Sequence, residues 1–177
     1  EALAPYRMMF MEEPVRPEHV ESMARLRKQL PIALATGENL FGLSRFVDLI
    51  DAQGVDIIQP DLSICGGLSE ARKIAGLAEA NYVTVAPHNA LGLFTTATSV
   101  HLCATIPNFA ILEYNSMYVD LKGRFVDEQW LPVDGYMPLP TRPGLGLELN
   151  VDEVEKSPPR PWNRGFATYP DGSSSFI

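Results

Sequence analysis

The chain has 177 residues, of which 46% are hydrophobic and 20% charged, and its formal net charge is −8. This composition is typical of a globular domain with a sizeable core, and its acidic balance argues against nucleic-acid binding because no basic stripe exists to neutralise phosphates. No apolar stretch approaches the length of a membrane span, so we expect neither a nucleic acid nor a membrane as a partner.

Strand and helix patterns alternate over residues 1–113. Helical periodicity of three to four residues is expected from just after Pro17 to about Leu30, and at about 44–53, 69–80 and 93–105. The strands are the apolar runs MMFMEE, IALATGE, VDIIQPD, YVTVAPH and FAILE. Because these runs are apolar throughout rather than alternating, they predict strands covered on both faces, as in a parallel sheet with helices outside it.

The pattern changes from Tyr114 onward, where proline becomes frequent and the alternation is lost. The segment LPTRPGLGLELNVDEV predicts an extended stretch followed by a short acidic helix. We therefore expect five βα units over 1–113 around a parallel sheet, a pattern that open α/β sheets and β/α barrels share. The segment 114–177 should pack on this α/β part rather than form an independent domain.

One ionisable residue closes each predicted strand, at intervals of about 25 residues, close to the length of one βα unit. These residues are Glu12, Glu38, Asp61, His88 and Glu113. Parallel strands end at one edge of the sheet, where ligands bind in open α/β sheets and in β/α barrels alike. A helix cap or a solvated rim charge explains one such residue, but five in register predict a site.

The residue types suggest a division of roles. Glu12 and Glu38 end neighbouring strands, where they would share a hard cation such as Mg²⁺ or be rim acids bonded to lysines or backbone amides. Asp61 beside His88 would orient the imidazole and make it a base near neutral pH, the alternative being a histidine bonded to a backbone carbonyl. A protonated Glu113 could hydrogen-bond a substrate oxygen that becomes negative.

Structural roles are expected for the remaining histidines and for the thiols. His19 and His101 fall inside predicted helices. Cys65 and Cys103 have neither CxxC spacing nor other cysteines to form a disulfide framework, so we interpret them as reduced packing thiols of a cytoplasmic protein.

A metal, an imidazole base and an acid around a carboxylate substrate suit removal of the proton next to that carboxylate, with the metal holding the enediolate. The motifs FMEEP, ATGEN, IIQPD, APH and ILE occur in this order. With them the chain resembles the C-terminal part of the enolase superfamily, in its mandelate racemase-like branch. The stretches DIIQPDLSICGGLSEARKIAGLAE, VAPHNALG and PGLGLEL are most similar to galactonate dehydratase and related acid-sugar dehydratases.

The resemblance implies a role for each strand-end residue and for two neighbours. The Mg²⁺ ligands would be Glu12 and Glu38, with Glu13 and Asn39 beside them. The acid/base dyad would be Asp61 and His88, and the electrophilic partner Glu113.

The resemblance also implies a (β/α)8 barrel of modified TIM type. This chain would supply strands four to eight, while the first strands, the third metal ligand and an N-terminal capping domain would lie outside it. Its C-terminal segment would pack on the barrel and on that capping domain.

The implied reaction is loss of water from a small sugar acid to give a 2-keto-3-deoxy acid, catalysed by an intact protein that is a homo-oligomer. A racemase or epimerase that uses the same enediolate is the alternative within the superfamily. From another class, the chain would be a non-catalytic truncated fragment that pairs with a complementary half. Residues 1–177 alone are expected to be a poor catalyst or none.

Overall fold

The computed structural model describes residues 2–90, 92–116, 124–127, 131–159 and 169–173. Within these ranges the sheet has four parallel strands in the order β1-β2-β3-β4: β1 Met11–Glu12, β2 Leu34–Thr36, β3 Ile57–Ile58 and β4 Thr84–Val85. The helices whose bounds fall within the described residues are α1 Val20–Gln29, α2 Leu43–Asp51, α3 Leu68–Ala80, α4 Leu93–Cys103 and α5 Val151–Glu155, and a 3-10 turn covers Ala4–Tyr6. The expected parallel α/β fold is confirmed.

The two faces of the sheet carry different side chains. Ile58 and Val85 lie in the main core, which α2 and α3 complete with large apolar residues such as Phe46. Ile57 and Ala86, together with Ala35, form a smaller apolar cluster. This division follows from strand geometry, because successive side chains point to opposite faces.

Among the described residues, the two outer strands are β1 and the run FAILE. The run FAILE forms one parallel bridge, between Phe109 and Val85, with Ala110 donating its N–H to the Val85 carbonyl at 2.8 Å. Ile111 is 46% exposed at this edge, and Met9 is 57% exposed just before β1. Within the described residues each of these two strands has a sheet neighbour on one side only, so each forms an edge of the sheet.

The helices begin and end close to their predicted positions. One difference is that His19 precedes α1 rather than lying inside it, and its Nδ1 accepts a hydrogen bond from the Ser22 N–H at 3.2 Å. Within the part of the chain that the structure describes, no helix is both long enough and apolar enough to cross a bilayer.

The C-terminal segment contacts the α/β part through α4. Ala97 and Val100 of α4 pack against an apolar set from the strand end and the later segment: Leu112, Met137, Leu145 and Leu147. The predicted acidic helix is present as α5, and the side chain of Asn150 caps it. The division at residues 113 and 114 stays a prediction, and 117–123, 128–130, 160–168 and 174–177 lie outside the described residues.

Candidate active site

His88, in the loop that follows β4, contacts carboxylates from three other strand ends. Its Nδ1 lies 2.7 Å from Oδ2 of Asp61. Its Nε2 lies 3.3 Å from Oε2 of Glu38 and 3.8 Å from Oε2 of Glu113. Four of the five strand-end residues thus meet around one imidazole, and the expected contact between Asp61 and His88 is present.

Asp61 is held by hydrogen bonds on both carboxylate oxygens. Its side chain is fully buried, and Ser63 donates to Oδ1 from its N–H at 2.7 Å and from its hydroxyl at 2.5 Å. Burial raises the pKa of Asp61, but the hydrogen bonds from His88 and Ser63 outweigh it, so the pKa lies below its ordinary value. An ionised Asp61 only accepts hydrogen bonds, so Nδ1 of His88 carries a proton and Nε2 is left to exchange one.

The imidazole holds its proton more strongly than a free histidine does. The hydrogen bond to Asp61 raises the pKa of His88, partial burial opposes this, and the negative charges of Glu38 and Glu113 raise it further. His88 is therefore suited to accept a proton near neutral pH and to return it.

An acidic cluster formed by Glu12, Glu13 and Glu38 lies beside the imidazole, at the ends of β1 and β2. Burial raises the pKa of Glu38, and the charges of Glu13 and Glu12 raise it as well, whereas His88 lowers it. Asn39 joins the cluster by donating to Glu38 at 3.2 Å and to Glu13 at 3.4 Å. These three carboxylates are therefore close enough for their charges to repel.

Glu13 is fixed by its backbone and its side chain. Its φ of 38° lies in the left-handed region, which is uncommon for a residue other than glycine and is frequent at functional sites. The buried hydroxyl of Thr36 donates to Oε1 of Glu13 at 2.8 Å. Glu13 thus turns the chain out of β1 while its carboxylate stays beside β2.

The acidic cluster fits part of a magnesium site. Glu12 and Glu38 offer the hard oxygen donors that Mg²⁺ prefers, and a cation would relieve the repulsion that raises the pKa of Glu38. Within the described residues, no group of three or more histidines, cysteines, aspartates or glutamates is placed to hold a metal ion. These two carboxylates would leave the remaining positions to the third protein ligand expected outside this chain, to water and to substrate. The role of Glu12 and Glu38 as ligands stays a prediction.

Three polar residues around the site are absent from the sequence-based set. Thr36 bonds Glu13 and Ser63 bonds Asp61, while the Asn89 N–H donates to Oε2 of Glu113 at 2.8 Å. The order Asp-x-Ser in DLS could have indicated the turn around Asp61, because aspartate and serine favour such local hydrogen bonds. Thr36 lies inside an apolar run and carries no comparable signal.

Comparison with known proteins gives relatives whose names indicate dehydratases. D-xylonate dehydratase from Haloferax volcanii is 39% identical over 153 residues, which are 86% of this chain and 37% of that protein. A candidate galactarate dehydratase from Agrobacterium radiobacter, solved with sodium and L-malate, is 43% identical with a TM-score of 0.90 over 99% of this chain and 48% of that one. The chain thus spans less than half the length of these relatives.

Other similar structures carry mandelate racemase names. A candidate mandelate racemase/muconate lactonizing enzyme from Burkholderia SAR-1 is 37% identical, with a TM-score of 0.87 over 92% of this chain and 40% of that one. The family model described as "Enolase C-terminal domain-like" matches residues 1–154. The chain therefore belongs to the enolase C-terminal domain-like family, as part of its β/α barrel.

Proposed function

We propose that the complete polypeptide containing these residues is an acid-sugar dehydratase. The observation that carries this proposal is the imidazole of His88, held by Asp61 at 2.7 Å and bordered by Glu38 and Glu113 at the ends of parallel strands. The similarity to D-xylonate dehydratase and to the candidate galactarate dehydratase supports a sugar acid as the substrate class.

His88 would be the base of the reaction. Its Nε2 accepts the proton from the carbon next to the substrate carboxylate, and the electron pair moves into that carboxylate. Asp61 orients the ring and stabilises the imidazolium that forms. Loss of the hydroxyl on the next carbon as water, with a proton from the site, gives an enol that becomes a 2-keto-3-deoxy acid.

Glu113 would hydrogen-bond the substrate, whereas His88 would remove the proton next to the substrate carboxylate. Its Oε2 lies 3.8 Å from Nε2 of His88, so a substrate that contacts both side chains would place its reacting carbon beside the base. In its protonated form Glu113 would donate a hydrogen bond to the substrate oxygen on which negative charge develops.

Glu12 and Glu38 would hold Mg²⁺, with Glu13 and Asn39 keeping the Glu38 carboxylate in place. When bound, the ion would supply positive charge next to the substrate carboxylate and so favour loss of the neighbouring proton. The contribution of this chain would be to bring the Glu12 and Glu38 carboxylates together beside His88.

A substrate panel with the complete polypeptide tests the proposal. D-xylonate, galactarate and D-galactonate are incubated with Mg²⁺ in D₂O, and both the 2-keto-3-deoxy product and deuterium incorporation next to the carboxylate are measured. We expect product from at least one sugar acid. Deuterium exchange without loss of water would favour a racemase or epimerase, and neither signal across the panel would contradict the proposal.

A further inference from the structure

Asn89, the residue after His88, holds Glu113 from two directions. It is 1% exposed, and its backbone N–H donates to Oε2 of Glu113 at 2.8 Å. Its side-chain Nδ2 donates to the backbone carbonyl of Glu113 at 2.9 Å. One buried residue thus fixes both the carboxylate and the main chain of its neighbour.

The side chain of Asn89 is itself anchored to α4. The hydroxyl of Thr96 lies 3.2 Å from both Nδ2 and Oδ1 of Asn89, and it lies 2.9 Å from the carbonyl of Gly92. A hydroxyl has one proton and two lone pairs, so it accepts from Nδ2 and donates to one of the two carbonyl oxygens. Both side chains are buried, and a broken contact would leave polar atoms away from water.

The network divides the roles of the two Glu113 oxygens. Oε2 accepts from Asn89 and is the oxygen that lies 3.8 Å from Nε2 of His88. Among the described residues, Oε1 has no hydrogen-bond partner, and the Glu113 side chain is about half exposed. Oε1 is therefore the oxygen available to a ligand.

We propose that Asn89 is a positioning residue, anchored by Thr96, that fixes Glu113 relative to His88 and leaves Oε1 of Glu113 to contact the substrate. This inference rests on the proposed dehydratase function. Because His88 and Asn89 are consecutive, the loop that carries the base His88 also positions the acid Glu113. A buried asparagine that only closes the loop would contribute stability without acting through Glu113.

The chain offers a matched pair of threonines for the test. Thr98 donates to the carbonyl of Phe94 at 2.6 Å, the same contact one turn back along α4 that Thr96 makes to Gly92, but among the described residues Thr98 makes no hydrogen bond to Asn89. In the complete polypeptide, Thr96→Val should lower kcat by about tenfold to a hundredfold, with a smaller change in KM, because misplacing a catalytic group costs on that order. Thr98→Val should leave kcat unchanged, and Thr96→Ser should restore it.

A double-mutant cycle separates positioning from folding. Asn89→Ala should lower kcat in the wild type but cause no further loss in Glu113→Gln, since residues that act through one another are not additive. The sugar acid is whichever member of the panel the wild type consumes. Equal losses in both backgrounds would overturn the inference, as would a kcat in Thr96→Val that matches Thr98→Val.

Amide hydrogen exchange gives a readout that needs no substrate. Thr96→Val should speed exchange of the Asn89 backbone N–H, the donor to Glu113, whereas Thr98→Val should not. Unchanged exchange would overturn the inference whatever the activity. If the wild type consumes no sugar acid, the proposed function fails by itself, and the catalytic half of the inference fails with it.

Discussion

His88 and Glu38 lie 3.3 Å apart, yet we propose different tasks for them, proton transfer and metal binding. In the complete polypeptide, His88→Asn should lower α-proton exchange by roughly 10²–10⁴-fold, the usual contribution of a general base, with Mg²⁺ affinity nearly unchanged. Glu38→Gln should weaken Mg²⁺ binding instead. Isothermal titration with Mg²⁺ and exchange in D₂O measure the two effects separately.

The control for this comparison is His19→Asn, because His19 is exposed and caps α1, and asparagine is also a good N-cap residue. It should change neither exchange nor Mg²⁺ binding. Wild-type exchange in His88→Asn would mean that another residue is the base. Unchanged Mg²⁺ affinity in Glu38→Gln would remove Glu38 from the ligands.

The contact between Asp61 and His88 predicts a pH-dependent stability. The pKa of His88 is raised from 6.5, so its contribution is full below that value and is lost as the pH rises through the higher folded pKa. The pKa of Asp61 is lowered from 3.8, so its contribution is present above that value and is lost as the pH falls through the folded pKa. The pair therefore stabilises the fold most between these limits.

Asp61→Asn should lower the pKa of His88, because it removes the hydrogen bond that contributes most to raising it. NMR titration of the histidine ring protons, with a chelator present to remove metal ions, measures this directly. The difference in unfolding free energy between wild type and variant should shrink at both ends of the pH range. A His88 pKa that stays constant in Asp61→Asn would show that the hydrogen bond does not control it.

At the scale of the elements, the turn between β2 and α2 depends on Gly37. Its φ is 140°, and a Cβ there would lie 3.0 Å from the backbone N of Gln59 and 3.0 Å from the ring of Phe46. Gly42, in the same loop, has a φ of 76° but nothing within 4 Å of a Cβ. Both positions strain an alanine, and only Gly37 adds a collision.

Gly37→Ala should therefore reduce the free energy of unfolding more than Gly42→Ala, by an extra 1–3 kcal/mol or so, the usual cost of overpacking. Urea unfolding of the two variants in the complete polypeptide gives the comparison. Equal losses would show that backbone strain decides the cost and that the space around Gly37 does not.

The elements also show what sequence can predict. Apolar periodicity placed α1 to α4 within a few residues, and the spacing of ionisable residues predicted that Glu38, Asp61, His88 and Glu113 meet. Side-chain partners were not predictable in the same way, because Asn89 and Thr96 meet only when the loop after β4 folds onto α4. The burial of the outer strands also depends on the segments that lie next to them. The hydrophobic pattern within one strand carries no information about those segments.

At the scale of the whole molecule, both edges of the sheet expose apolar side chains. Met9 precedes β1, and Phe109 and Ile111 lie at the other edge. Unpaired strand edges with apolar side chains are templates for pairing with another chain. In the part of the chain that the structure describes, the sheet thus has an edge suited to a neighbour at each of its two ends.

We predict that residues 1–177 produced alone self-associate and turn over no sugar acid. Size-exclusion chromatography at several concentrations, with thermal unfolding, measures the association. Ile111→Lys should reduce it, because a charge on an edge strand opposes pairing. Tyr82→Lys, at a residue 99% exposed in the turn between α3 and β4, should not. A monodisperse monomer that unfolds cooperatively and dehydrates a sugar acid with Mg²⁺ would show that the open edges need no neighbours.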